Sequence, residues 1–150
     1  MNKTLLIILG NQLFNPMFLK KIKFDLIFMA EDYELCSYVK HHKLKILMFL
    51  LSMREYCVEL RQNNHKVIYE SLDDNSFRER YENKLSDLIK TQRIKKLVFF
   101  EIEDKFFEAR INKFAKQNKL TVEILSSPMF LFPRGDFKTF ADGKNKLLMG

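Results

Sequence analysis

Thr4-Leu5-Leu6-Ile7-Ile8-Leu9, followed at once by Gly10-Asn11-Gln12, is the stretch on which the fold turns. Its apolar residues run on without the polar alternation of a half-solvated strand. A continuous run of this kind fits a parallel strand covered on both faces. The lone glycine then lets the chain turn sharply off the strand.

Working outward, four more short segments read as strands: 25–30 (DLIFMA), 66–70 (KVIYE), 96–101 (KLVFFE) and 120–125 (LTVEIL). Between them lie segments of helical period. From 43 to 63, Ile46, Phe49, Leu50, Met53, Cys57 and Leu60 recur at three- and four-residue spacing, with Lys45, Ser52, Glu55, Glu59 and Gln62 on the other side. The first half of this helix is apolar almost all round, so something should cover both its sides. A second helix is predicted to start at Ser76, whose spacing to Glu79 matches a capping box, with Phe77, Tyr81, Leu85 and Leu88 as its stripe. A third covers about 104–117, with Phe107, Ile111, Phe114 and Ala115 facing inward. Asn63, Asn64 and Asn118 stand where a left-handed residue would end a helix. Strands alternating with helices require parallel crossovers. The expected fold is α/β: a Rossmann-like three-layer sandwich with a five-stranded parallel sheet, one domain over 1–150.

Composition sets the outer limits. The 150 residues are 47% hydrophobic with 15 Phe, enough for a sizeable core, and 4 Gly with 3 Pro exclude a fibrous or disordered chain. The longest aliphatic and aromatic run, 46–51, falls far short of the roughly 20 residues that span a bilayer. No signal-peptide pattern opens the chain, and Cys36 and Cys57 make no disulfide framework. A reduced, cytoplasmic protein with no membrane partner is expected. The net charge of +7 favours polyanions, nucleic acid included. The lysines are dispersed, however, and fit a solvated surface as well.

Ligands of open parallel sheets bind beyond the carboxyl ends of the strands, at the switch point. That rule nominates 10–13, 31–32 and 101–104. Gly10 admits a flat ligand close to the backbone, and Asn11 and Gln12 offer amide donors and acceptors for heterocycle edges or hydroxyls. The same tripeptide also reads as a tight turn with Asn11 capping a helix. Glu31 and Asp32 suit hydroxyls or a ring N–H, or equally a cap. Glu101, Glu103 and Asp104 share that ambiguity, Asp104 reading most simply as a cap. Gly10 is the only glycine before Gly135, so the G-x-G-x-x-G fingerprint is missing, and no Walker A sequence occurs. Adjacent His41 and His42 diverge and cannot form a zinc pair. No nucleophile–base constellation is visible, so neither a metal nor a catalytic residue is expected. Arg54, Arg61 and Arg134 suit phosphate or internal ion pairs.

The order of these motifs resembles one family. The opening 7–13 (IILGNQL), 38–46 (YVKHHKLKI), Ser52-Met53-Arg54, Glu59-Leu60-Arg61 and Leu72-Asp73-Asp74 carry the resemblance. So do Ser127-Pro128-Met129-Phe130-Leu131, Phe137, Gly143-Lys144 and Leu148-Met149 near the end. The chain is similar throughout to the photolyase-related proteins of bacteria, also called iron–sulfur bacterial cryptochromes or prokaryotic (6-4) photolyases. The resemblance implies an N-terminal antenna domain. FAD, a 4Fe–4S cluster and the DNA-lesion site would belong to a helical C-terminal domain, for which these residues leave no room. Two cysteines, moreover, cannot ligate a cluster that takes four thiolates.

The resemblance further implies a light-harvesting chromophore, 6,7-dimethyl-8-ribityllumazine, held by Gly10, Asn11, Gln12, Glu31 and Phe49, with no catalytic residue in this chain. Many members carry Asp where this chain has Asn11. The expected partners are a C-terminal photolyase domain, DNA in a full-length protein, and a second copy of the chain covering the apolar first half of the long helix. The alternative is a stand-alone nucleotide- or nucleic-acid-binding domain.

Overall fold

The computed structural model describes residues 2–142, and Gly143-Lys144 and Leu148-Met149 lie outside them. Five strands, β1 (Lys3–Ile7), β2 (Leu26–Ala30), β3 (Val67–Glu70), β4 (Ile94–Phe100) and β5 (Thr121–Leu125), form one all-parallel sheet ordered β3-β2-β1-β4-β5. The apolar run that opens the sequence is the central strand. Leu5 lies opposite Leu26 and Leu97, and Ile7 opposite Phe28 and Phe99.

Alternate residues of the central strands feed two cores, one on each face. Leu5 and Ile7 join Phe28, Leu97 and Phe99 under α3 (Tyr81–Gln92) and α4 (Lys105–Gln117). Leu6 and Ile8 join Ile27, Met29 and Val98 under α2 (Lys43–Gln62) and Leu19 of a 3-10 turn over Pro16–Lys21. Each such aliphatic side chain removed from water contributes about 1.5–3 kcal/mol. Crossovers toward β3 run over the α2 face and those toward β5 over the α3–α4 face, so all share one hand. This is the expected doubly wound sandwich.

Two local expectations are corrected. Ser76 does not cap a helix: a 3-10 turn covers Asn75–Arg78, and α3 begins only at Tyr81, with Arg80 at its N-cap position and no side-chain cap. The Ser76 hydroxyl instead donates to Glu70 Oε2 at 2.7 Å, so strand β3 takes the residue the capping box needed. Asn118 does not take the left-handed conformation. Its amide donates to the Phe114 carbonyl at 2.9 Å, and Lys119, φ 54°, makes the reversal; Asn64, φ 62°, does so after α2. Two short helices escape any periodicity: α1 (Tyr33–Ser37), capped by Asp32, and α5 (Arg134–Ala141). Outside the core, Leu44, Leu47, Met48, Leu51 and Val58 leave the outer face of α2 exposed. Among the described residues no helix is long and apolar enough to cross a membrane.

Candidate functional site

The strand order places the switch point between β1 and β4, whose crossovers leave on opposite faces. A cavity of about 610 Å³ opens there, bounded by the carboxyl ends of β1 (Leu9, Gly10), β2 (Ala30) and β4 (Ile102). Ile46, Phe49 and Met53 of α2 and Phe107 of α4 give it apolar walls, and α1 forms its rim.

Gly10 sits in that wall for a packing reason. A Cβ added there would lie 2.5 Å from Phe49 Cζ and 2.7 Å from Met53 Sδ. The missing side chain lets α2 approach the β1 turn, and Phe49 occupies the space over the glycine.

Asn11 does not cap a helix. Its amide donates across the switch point to Glu103 Oε2 at 2.8 Å, tying the β1 turn to the β4 turn, while Asn15 caps the following 3-10 turn. Gln12, 1% exposed, donates to the Glu101 carbonyl at 2.9 Å and does not line the cavity; its Oε1 has no partner.

Glu31 is placed away from the cavity. Its carboxylate, fully buried, accepts from Arg54 Nε and Nη2 (2.6 and 3.1 Å), the Tyr69 hydroxyl (2.7 Å) and the Leu72 amide (2.7 Å). Burial pushes this carboxyl up, but the hydrogen bonds from Arg54, Tyr69 and Leu72 outweigh it and hold it below its ordinary range. The Lys84 ammonium donates to the Glu31 carbonyl at 3.0 Å, so main chain and side chain are both engaged. Of the predicted contact residues, Gly10, Asn11 and Phe49 therefore line the cavity, and Gln12 and Glu31 buttress the turns beside it.

Three residues that pattern reading left ambiguous or placed in the core line the cavity and carry buried polar atoms without a partner. Asp32 caps α1, its Oδ1 accepting from the Leu35 amide at 3.1 Å, and its buried Oδ2 has no protein partner. Glu103 accepts from Asn11 through Oε2, and its Oε1 is likewise unpartnered. Tyr81, 3% exposed, packs its ring on Phe28 and Phe107 and leaves its hydroxyl unpaired. Burial, with the charges of Asp32 and Glu70, pushes that phenol above its ordinary range, so it stays a neutral donor and acceptor. No single-residue signal marks these three. Only the apposition of β2, α3 and β4 brings them together.

The remaining candidates have structural work. Asp104 caps α4, accepting from the Phe106 and Phe107 amides at 2.8 and 3.0 Å. Arg54 pairs with Glu31, Arg134 with Glu108, and Arg61 donates to the Val67 carbonyl. Burial pushes both cysteine thiols up, Cys36 further through Asp32 and Glu31, away from thiolate chemistry. Among the described residues no cluster of His, Cys, Asp and Glu has the arrangement of a metal site.

Fold and cavity together define a doubly wound α/β domain with its opening at the strand-end switch point. The chain belongs to the deoxyribodipyrimidine photo-lyase-related protein family, whose model matches residues 6–150. Over 131 residues it is 30% identical to a protein of Agrobacterium fabrum (strain C58) described as a (6-4) photolyase. The alignment takes in 85% of this chain and 25% of that protein, so the chain spans about a quarter of the relative's length.

Proposed function

We propose that this domain is the antenna and scaffold module of a photolyase-like DNA-repair flavoprotein, holding a ribityl-bearing planar pigment, 6,7-dimethyl-8-ribityllumazine, in the strand-end cavity. The carrying observation is an apolar-walled cavity of about 610 Å³ at the switch point, with acidic and amide side chains at its edge. Small-molecule sites are mostly apolar concavities with a few polar groups that fix orientation, and this cavity has that make-up. The residues present fit such a pigment. Phe49, Ile46 and Phe107 suit a flat ring, and the carboxylates lining the cavity suit polyol hydroxyls.

When bound, the pigment supplies near-ultraviolet absorption and passes excitation to a flavin. The chain's own part is to fix the ring against Phe49, orient the polyol, and exclude water. FAD, the 4Fe–4S cluster and the DNA lesion are assigned to a C-terminal photolyase domain. Nucleotide binding, the alternative, is disfavoured by charge. Asp32, Glu34, Glu103 and Asp104 all line the cavity, against Lys45 and an Arg110 already paired with Glu82 and Glu34.

Titrating the purified chain with the lumazine tests this, with absorbance and fluorescence as readouts and circular dichroism as the control for folding. Saturable one-to-one binding is expected. A folded chain that leaves the spectrum unchanged overturns the proposal.

A further inference from the structure

Lysines that are dispersed along the sequence gather at one pole of the folded chain. The segments leading into β2, β3, β4 and β5 (20–25, 61–66, 90–96 and 116–119) hold eleven Lys or Arg against one acid, Asp25. The segments at the exits of β2, β3 and β4 (31–36, 70–79 and 101–108) hold eleven Asp or Glu against Arg78 and Lys105. All five strands are parallel, so the first set lies along the amino edge of the sheet. The second lies at the carboxyl edge, where the cavity opens.

The basic edge is continuous. Main-chain hydrogen bonds join Lys3 to Arg93 at 3.2 Å, Asp25 to Thr4 at 2.9 Å and Ile27 to Lys66 at 2.9 Å, so neighbouring strand starts stand side by side. Pairing within the chain does not neutralise it. At the acidic pole the arginines are engaged: Arg54 by Glu31, Arg110 by Glu82 and Glu34, Arg134 by Glu108. Among the described residues of the amino edge, Lys96 alone has an ion-pair partner, Glu123, and the Asp25 carboxylate accepts from the Thr4 amide at 2.8 Å. The negative ends of α2, α3 and α4 explain Arg61, Lys90 and Lys116 in their last turns. They leave exposed Lys23, Lys66 and Lys95, which belong to turns and a strand, without a partner.

An edge of five strands set about 4.8 Å apart spans roughly 19 Å, about the rise of five or six base pairs of duplex. None of the exposed large hydrophobics lies in these four basic segments. The edge therefore lacks the apolar anchors of a membrane-surface site and the aromatic platforms of a single-strand site. We propose that it binds the phosphate backbone of duplex DNA, without sequence preference, at the pole opposite the pigment cavity. Like charge turns the acidic pole away from the duplex, and the contact holds whether or not the cavity is filled.

The test titrates the purified chain into a fluorescein-labelled duplex of about 20 base pairs, with salt raised from about 50 to 200 mM and anisotropy as the readout. Log affinity should fall linearly in log salt with a slope of about −4, since about 0.9 is lost per phosphate engaged. In a chain carrying Lys23→Gln, Lys66→Gln and Lys95→Gln, the slope should flatten by about two to three and low-salt affinity should drop about tenfold or more. A chain carrying Lys40→Gln, Lys43→Gln and Lys105→Gln loses the same charge from the opposite pole and should bind within about twofold of the wild type. All six lysines are exposed, so both chains should fold, which circular dichroism checks. Failure of the folded wild type to bind overturns the proposal, and so does an equal loss in the two triple variants, which would reduce the effect to net charge. Tighter binding of the single strand, or of phosphatidylserine vesicles, at the same salt overturns the assignment to duplex DNA.

Discussion

Gly10→Ala tests how the β1 turn, α2 and the cavity depend on one another. The added methyl would lie 2.5 and 2.6 Å from Phe49 Cζ and Cε1 and 2.7 Å from Met53 Sδ. Carbon pairs are at ease near 3.5–4 Å, so these side chains must withdraw by about 1 Å. Met53 is 1% exposed and packed in the core. Phe49 is half-buried and borders the cavity, so its ring yields by swinging into the space a ligand would fill. Overpacking of this kind costs about 1–3 kcal/mol, a fall in Tm of a few degrees for a chain this long. The loss of lumazine affinity should be larger, tenfold or more. Thermal denaturation and fluorescence titration on the same preparation separate the two effects. With Phe49→Ala already present, Gly10→Ala should cost less Tm than it does in the wild type, the remainder coming from Met53, a coupling that a double-mutant cycle reads directly. A Gly10→Ala chain with unchanged Tm and affinity would refute the packing argument.

Glu31→Gln should destabilise the fold by about 2–3 kcal/mol in urea denaturation, less than a fully buried pair would lose because Arg54 is 40% exposed. Glu31 and Glu82 have folded pKa values held below the ordinary range, so their stabilisation is complete above about pH 4.3 and is lost as pH falls through the lowered values. The Glu31→Gln chain should accordingly lose less stability on acidification than the wild type, and parallel acid-unfolding curves would count against the network. Tyr81→Phe should raise the melting temperature of the ligand-free chain, since it removes a buried hydroxyl without a partner worth about 1–3 kcal/mol; a lower Tm would mean the hydroxyl is already satisfied. Asp104→Ala should cost about 1 kcal/mol through loss of the α4 cap, read in the same denaturation assay. Maleimide should modify half-buried Cys36, which borders the cavity, faster than core Cys57, and saturating lumazine should slow it. Equal rates with and without lumazine would place the ligand elsewhere.

The architecture was legible in the sequence because burial on both faces writes itself into consecutive residues. The run from Leu5 to Ile8 could satisfy two cores only as a central parallel strand, and the three longest helices show their inward stripes at helical spacing. Asp104 could be read as a cap because capping is a local bargain between a side chain and the next two or three amides. Where a carboxylate of the preceding strand competed for a side chain, the capping pattern failed: Ser76 went to Glu70, and the start of α3 moved to Tyr81. The site was only half visible for the same reason. Position at a strand end marked Gly10 and Asn11, but residues at strand ends are not equivalent. The bidentate pairing with Arg54 drew Glu31 into a buried support, while Asp32, its neighbour, was left with a buried oxygen that has no partner. Tyr81 read as an apolar stripe residue, and folding leaves its hydroxyl buried without a partner. Which polar atoms remain unsatisfied depends on every neighbour brought close by folding, and no stretch of sequence contains that sum.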